Sequence, residues 1–316
     1  MPIYKVSAKE YFDKLPSSVK YSDKNTFTGT SENIKKCKVP ITNLIKRFKL
    51  ENKHIISLAC GTAFEEFWFH KFGCRLTLND LDLPNLHSEP FLKTLANNNV
   101  ENKNLLNFHI EDIEKTINYY PKYKFDVLYI SSFHPDEYNR GRIQNDFKNS
   151  RNVFQRFLNP ITWPKNQVPY SQVILNSINL VKENGLIIFQ HYAFGVNVLR
   201  NPHYIGLIKD QFKLQGVTLL EFYCYRKAAE CHLIIAYKGD MKNAIKYYNQ
   251  IDNRNLINIF HGRYPIEEIK NDILKVFSIE PEFNFPKINL KYRFRIWLSV
   301  IKSFFTDFLK RDEFFK

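Results

Sequence analysis

Two hydrophobic patterns alternate along the chain. One is a short apolar run bounded by small or polar residues, the signature of a buried strand. The other is a longer stretch with apolar residues every three or four positions, the signature of a helix lying on a core. Pro40–Leu50 has Ile41, Leu44, Ile45 and Phe48 at helical spacing and should pack against a sheet. Ile55 to Leu58 reads as a strand and Phe64 to Phe72 as an aromatic-rich helix, followed by a second apolar run that ends in Asn79-Asp80-Leu81-Asp82. Asn107–Ile110, Phe125–Ser132 and Leu186–Phe189 continue the strand series, with a helix expected over Ser171–Lys182 and Asn184-Gly185 as its left-handed cap. Val217–Tyr225 and Cys231–Tyr237 are two more β-rich runs joined by a short connection, which predicts a hairpin. Beyond them, Asn243–Ile251, Ile266–Val276 and Lys291–Phe315 show helical spacing.

Alternating strands and helices predict an α/β fold with a doubly wound, seven-stranded, mostly parallel sheet. The chemistry is concentrated in His54–Asp82. There a strand meets a turn of small residues, Ala59-Cys60-Gly61-Thr62-Ala63, and the following strand ends in Asp80. In doubly wound sheets such a turn lets the backbone approach an adenine nucleoside, and the acid accepts from the ribose hydroxyls.

These residues resemble the first two motifs of class I S-adenosylmethionine-dependent methyltransferases, close to "VLDLGCGTG … VTGVDLS". Ile55 to Ala63 aligns without gaps on the first motif, and Asp80 falls on the ribose-binding acid. Ser57, Ala59 and Ala63 stand where the family has Asp, Gly and Gly, so a partner for the ligand's ammonium end is missing at Ser57. The resemblance extends through Asp112 and Ile113, implied to bracket the adenine, and through Phe125-Asp126-Val127-Leu128 and Ser131 at the rim of the reaction centre. It then takes in Val181–Phe189 and the terminal hairpin, about Ile55 to Lys238 in all. It implies a Rossmann-like methyltransferase fold with S-adenosylmethionine as cofactor.

The implied organisation is a helical N-terminal cap (1–54), a cofactor-binding domain (55–239) and a basic helical extension (240–316). Within the domain, residues 133–170 form an insertion on the acceptor side, where Trp163 and Tyr170 are expected to shape the pocket or pack in the core. The 316 residues, 44% hydrophobic and 16% aromatic, suffice for one large core. Five scattered cysteines without a CxxC pair argue against a disulfide framework or a zinc site, and for a reducing cytoplasm. The net charge of +14 sits at the ends. Residues 1–54 carry twelve Lys/Arg against five Asp/Glu, and 287–316 carry eight against three. Such flanks suit nucleic acid, anionic lipid or phosphorylated glycan, or are solvated faces. Segment 290–316 is basic, aromatic and amphipathic, which fits docking on the protein or a peripheral contact at the inner membrane face.

Methyl transfer to a hydroxyl needs alignment and a proton acceptor, and no metal. His134 after the fourth strand and His191 after the fifth are the candidate bases, and each also fits a structural role. Ser131-Ser132-Phe133-His134 lacks the Asn/Asp-Pro-Pro-aromatic text of base-amino methyltransferases. The expectation is therefore O-methylation of a saccharide, surface glycan or small metabolite. An RNA-directed enzyme with basic flanks and a catalytically inactive scaffold are the alternatives.

Overall fold

The computed structural model describes residues 3–18, 30–61, 63–80, 92–93, 105–131, 172–190, 203–225, 230–251 and 273–280. The described strands are β1 (Ile3–Ser7), β2 (His54–Leu58), β3 (Arg75–Asp80), β4 (Leu105–Ile110), β5 (Phe125–Ser131), β6 (Val181–Gln190), β7 (Val217–Tyr225), β8 (Glu230–Lys238) and β9 (Ile273–Ser278). They form one sheet in the order β1-β4-β3-β2-β5-β6-β8-β7-β9. From β4 to β6 all neighbours are parallel, while β8 runs antiparallel to both β6 and β7. This is the doubly wound sheet with a terminal hairpin that the sequence predicts.

The central strands are apolar on both faces because both are covered. Ile55, Val127, Tyr129 and Ile188 face a layer that includes α1 (Ala8–Ser18), α2 (Thr30–Phe48), α3 (Glu66–Lys71) and Ala244 and Tyr248 of a C-terminal helix, Met241–Tyr248. Ile56, Leu128, Ile130 and Ile187 face the other layer. That layer contains α4 (Ile113–Tyr119), α5 (Gln172–Ser177) and α6 (His203–Leu214), and Met241–Tyr248 is therefore α7. Ile41, Leu44, Ile45 and Phe48 of α2 are buried, as their spacing requires. Trp68 Nε1 donates to the Ile34 carbonyl at 2.6 Å and fixes α3 under α2.

Four expectations are corrected. Among the described residues the sheet has nine strands rather than seven, because each flank adds an edge strand. In the N-terminal cap, expected to be wholly helical, β1 buries Tyr4 and Val6 and pairs antiparallel with β4. In the C-terminal extension, the helix expected over Ile266–Val276 is overturned at its end, since Ile273–Ser278 is β9, antiparallel to β7. The helix expected up to Lys182 stops at Ser177, and a 3-10 turn (Ile178–Leu180) leads straight into β6. Asn184 does have a left-handed φ of 66°, yet it lies in a bulge of β6, where the register against β5 jumps between Phe125 and Val127. A Cβ at Gly185 would come within 2.6 Å of the Asp126 carbonyl oxygen, so the bulge requires glycine there.

Candidate functional site

The strand order reverses between β2 and β5. β3 and β4 step away on one side and β6 on the other, which makes the carboxyl ends of β2 and β5 the switch point where doubly wound sheets hold ligands. The small-residue turn leaves β2 at this point. Ala59, Gly61 and Ala63 adopt φ values of 53°, 54° and 57°. Left-handed backbone favours glycine, so two alanines there are strained by about 1–2 kcal/mol each. The turn nevertheless closes: Cys60 N donates to the Asn79 carbonyl at 3.0 Å and Ala63 N to the Cys60 carbonyl at 2.9 Å. A Cβ on Gly61 would meet nothing within 4 Å, so open space lies beside this backbone.

Asp80, at the end of β3, accepts from Gly61 N at 2.5 Å through Oδ2. The acid is thereby fixed against the turn. Burial raises the pKa of the Cys60 thiol, and the Asp80 and Glu66 carboxylates raise it further. Asp112 caps α4, its Oδ1 accepting from Glu114 N at 2.8 Å, and Ile113 is buried behind it. Asn79 holds this corner to Asp80, because its amide donates to the Glu111 carbonyl and to Thr116 Oγ1, both at 2.8 Å. Ser131 ends β5 half-buried, in register with Gln190 of β6. The structure thus brings Ala59, Cys60, Gly61, Ala63, Asp80, Asp112, Ile113 and Ser131 to one edge of the sheet. Thr62, His134, His191, the insertion 133–170 with Trp163 and Tyr170, and segment 290–316 lie outside the described residues.

A group of residues that sequence reasoning missed lies between α3 and this edge. Ser57, which replaces the family's acid, donates its hydroxyl to Glu66 Oε1 at 2.5 Å. A carboxyl therefore returns to the same place from nine residues further along. Glu65 Oε2 accepts from the Tyr129 hydroxyl at 2.5 Å, and the Tyr129 hydroxyl oxygen lies 2.9 Å from the Gln190 side-chain amide. Ser57, Glu66, Tyr129 and Gln190 are all no more than 1% exposed. Burial, followed by the Glu65 charge, pushes the Glu66 carboxyl up to about 8, so it is largely protonated at neutral pH. The signal that pointed here was the missing acid at Ser57 together with paired acids opening an aromatic helix.

No known protein family matches the chain by sequence, and no curated protein sequence matches it. Solved structures do match in shape. A magnesium protoporphyrin IX methyltransferase from Synechocystis PCC 6803 with bound SAH is 10% identical, with a TM-score of 0.39, over 73% of this chain and 94% of that one. The O-methyltransferase TomG from Streptomyces achromogenes, in complex with SAM, is 10% identical over 74% and 92%, with a TM-score of 0.37. A spermidine synthase from Thermotoga maritima is 12% identical over 72% and 68%, with a TM-score of 0.38. At such scores the likenesses add nothing to the strand order and turn geometry. Those two observations define the class: a Rossmann-like doubly wound sheet with a left-handed small-residue turn at its switch point.

Proposed function

We propose that this chain is an S-adenosylmethionine-dependent methyltransferase acting on a hydroxyl of a saccharide, surface glycan or small metabolite. The observation that carries the reading is the three-point left-handed turn at the end of β2, fastened to Asp80 through the Gly61 amide. The residues fit the cofactor. The turn leaves open space beside Gly61, and the reading gives Asp80 at the end of β3 to the ribose and Asp112 and Ile113, just past the end of the neighbouring β4, to the adenine. S-adenosylmethionine would supply a methyl group on an activated sulfonium. The chain's own part is to bind and orient donor and acceptor and to take one proton from the acceptor hydroxyl. His134 or His191 is proposed for that last step. The acceptor is assigned to the insertion 133–170, since it follows β5 at the ligand edge.

Calorimetric titration of S-adenosylmethionine and S-adenosylhomocysteine into the folded chain tests the reading. Micromolar affinity that disappears in Asp80→Ala is expected. The absence of binding would leave the inactive scaffold, which Ser57, Ala59 and Ala63 motivate. The basic ends of the chain favour a second reading, RNA as acceptor. It predicts RNA affinity that falls steeply with salt and is lost when either end is removed. Among the described residues no helix is long and apolar enough to cross a membrane. Peripheral contact through 290–316 is proposed as the alternative to docking on the domain, and unchanged liposome sedimentation after deleting 290–316 would overturn it.

A further inference from the structure

The edge of the sheet opposite the switch point carries a surface of its own. β5, β6 and β7 start there, and β8 ends there. Four of the five large apolar side chains that are exposed among the described residues gather along it: Leu214 at 84%, Met241 at 57%, Tyr123 at 51% and Tyr119 at 48%. Each stands where an element meets this edge. Tyr119 closes α4, Leu214 closes α6, Met241 opens α7 and Tyr123 lies just before β5. The corner is braced from inside. Lys238 Nζ donates to the Gln215 carbonyl at 2.7 Å and lies 5.9 Å from the centroid of the Tyr123 ring. Gly239 N donates to the Gly216 carbonyl at 2.8 Å. Single exposed apolar residues are ordinary, but several on one rim mark a surface that meets something.

Lysines accompany these tips. Lys122, Lys213 and Lys242 are exposed next to Tyr123, Leu214 and Met241 in the chain, and Lys182 lies at the start of β6. Of the acids on the same rim, Asp126 is paired with Lys182 at 2.9 Å, and Asp240 Oδ1 accepts from Asn243 N at 2.8 Å as the cap of α7. Glu183 is exposed beside Lys182. Lysine charge fits phosphate of any source, and tyrosine rings fit nucleobases as well as a lipid interface. The two aliphatic tips decide between them. RNA offers Leu214 and Met241 no hydrocarbon to enter, whereas a bilayer offers it just below its phosphates. β9 also runs antiparallel to β7 and so heads towards this edge, and the basic, aromatic sequence 290–316 follows it in the chain.

We propose that this edge docks on an anionic lipid surface. Leu214 and Met241 enter the headgroup layer, Tyr119 and Tyr123 sit at its boundary, and Lys122, Lys213 and Lys242 meet lipid phosphates. Docking of this kind is independent of the S-adenosylmethionine reading. The seven residues of β5 hold the switch-point edge roughly 20 Å from the lipid, on the aqueous side.

Vesicle sedimentation of the full chain tests the proposal, with vesicles of phosphatidylcholine alone and of phosphatidylcholine and phosphatidylglycerol in equal parts. The wild type should bind the anionic vesicles far better than the neutral ones, and less well as salt rises. Two double variants separate the contributions. Leu214→Ser with Met241→Ser should weaken binding roughly tenfold or more by removing the aliphatic tips. Lys213→Glu with Lys242→Glu should weaken it at least as much, since each lysine near an anionic surface contributes roughly fivefold. All four side chains are exposed, so thermal unfolding of both variants should match the wild type. Equal binding to both vesicle types would overturn the proposal. So would anionic-vesicle binding that survives both pairs of substitutions, which would place the contact in 290–316. A single-stranded RNA titrated alongside gives the remaining outcome. If RNA binds and the lysine pair abolishes that affinity while vesicles do not bind, the edge is a nucleic-acid surface and the lipid assignment is wrong.

Discussion

Glu221 and Glu66 are both buried carboxyls, and the protein treats them in opposite ways. Glu221 lies on β7 near the outer edge of the sheet and is answered from every side. Arg47 of α2 reaches its Oε1 at 2.5 Å, and Lys275 of β9 approaches to 3.4 Å. The Tyr248 hydroxyl donates to the same oxygen, and Tyr223 donates to Oε2 at 3.0 Å. Glu66, at the switch point, receives one serine hydroxyl and faces two further acids. A buried charge is tolerated when it is paired and hydrogen-bonded; otherwise the group shifts its pKa and becomes neutral. The first network therefore holds α2, β7, β9 and α7 together. The second keeps a neutral acid beside the turn at the switch point.

The contrast breaks most visibly if the two networks are cut in the same way. Removing Arg47 takes the guanidinium partner from Glu221 in the core. Such loss of one partner costs about 3–5 kcal/mol, and the remaining Lys275 contact places Arg47→Ala near the lower figure. Glu66→Gln replaces a protonated acid with a neutral isostere and should change stability by less than about 1 kcal/mol at pH 4.5, where the contribution of the raised Glu66 pKa is still nearly intact. Urea denaturation of both variants measures the pair. Comparable losses would mean that Glu66 is an ordinary structural anion.

The parts of this arrangement that were legible in the sequence are those whose cause is local. Ile55–Leu58 and Leu128–Ile130 read as strands because both faces are buried, and β7 and β8 because a short link joins two β-rich runs. The edge strands were hidden. In β1 only Tyr4 and Val6 turn inward, and what makes Ile3–Ser7 a strand is the open edge of β4, about a hundred residues away. In β9, Val276 carried a helical pattern begun ten residues earlier, and pairing with β7 overrode it. The small-residue turn was legible through its spacing. Its left-handed backbone at Ala59 and Ala63 was not, since alanine rarely adopts it. Glu65 and Glu66 look like the solvent face of a helix. Only the tilt of α3 onto Ser57 and Tyr129 turns them inward.

The pH dependence of stability sharpens the comparison further. Glu66 has a folded pKa of about 8 against an ordinary 4.5, so the folded state holds a proton that the unfolded chain has released. Its contribution is fully present below pH 4.5 and is lost as pH rises through about 8. Wild-type stability should therefore decline across that window by more than Glu66→Gln declines, as followed by urea midpoints at successive pH values. Parallel curves would show that Glu66 is ionised throughout.

The smallest expected effect concerns the turn that joins the two halves of the site. Ala59 and Ala63 hold φ values that cost an L-residue about 1–2 kcal/mol and cost glycine almost nothing. Glycine returns part of that gain by loosening the unfolded chain, about 0.4–1 kcal/mol. Ala59→Gly should then stabilise the protein by about 0.5–1 kcal/mol. Ala63→Gly should give less, since the Ala63 methyl is buried in the core and its loss removes packing. The order of the two effects is the informative part. If Ala63→Gly stabilises more than Ala59→Gly, strain outweighs packing at the helix end of the turn. If both destabilise, the backbone is not left-handed at these positions, and the relation between Gly61 and Asp80 that supports the cofactor reading goes with it.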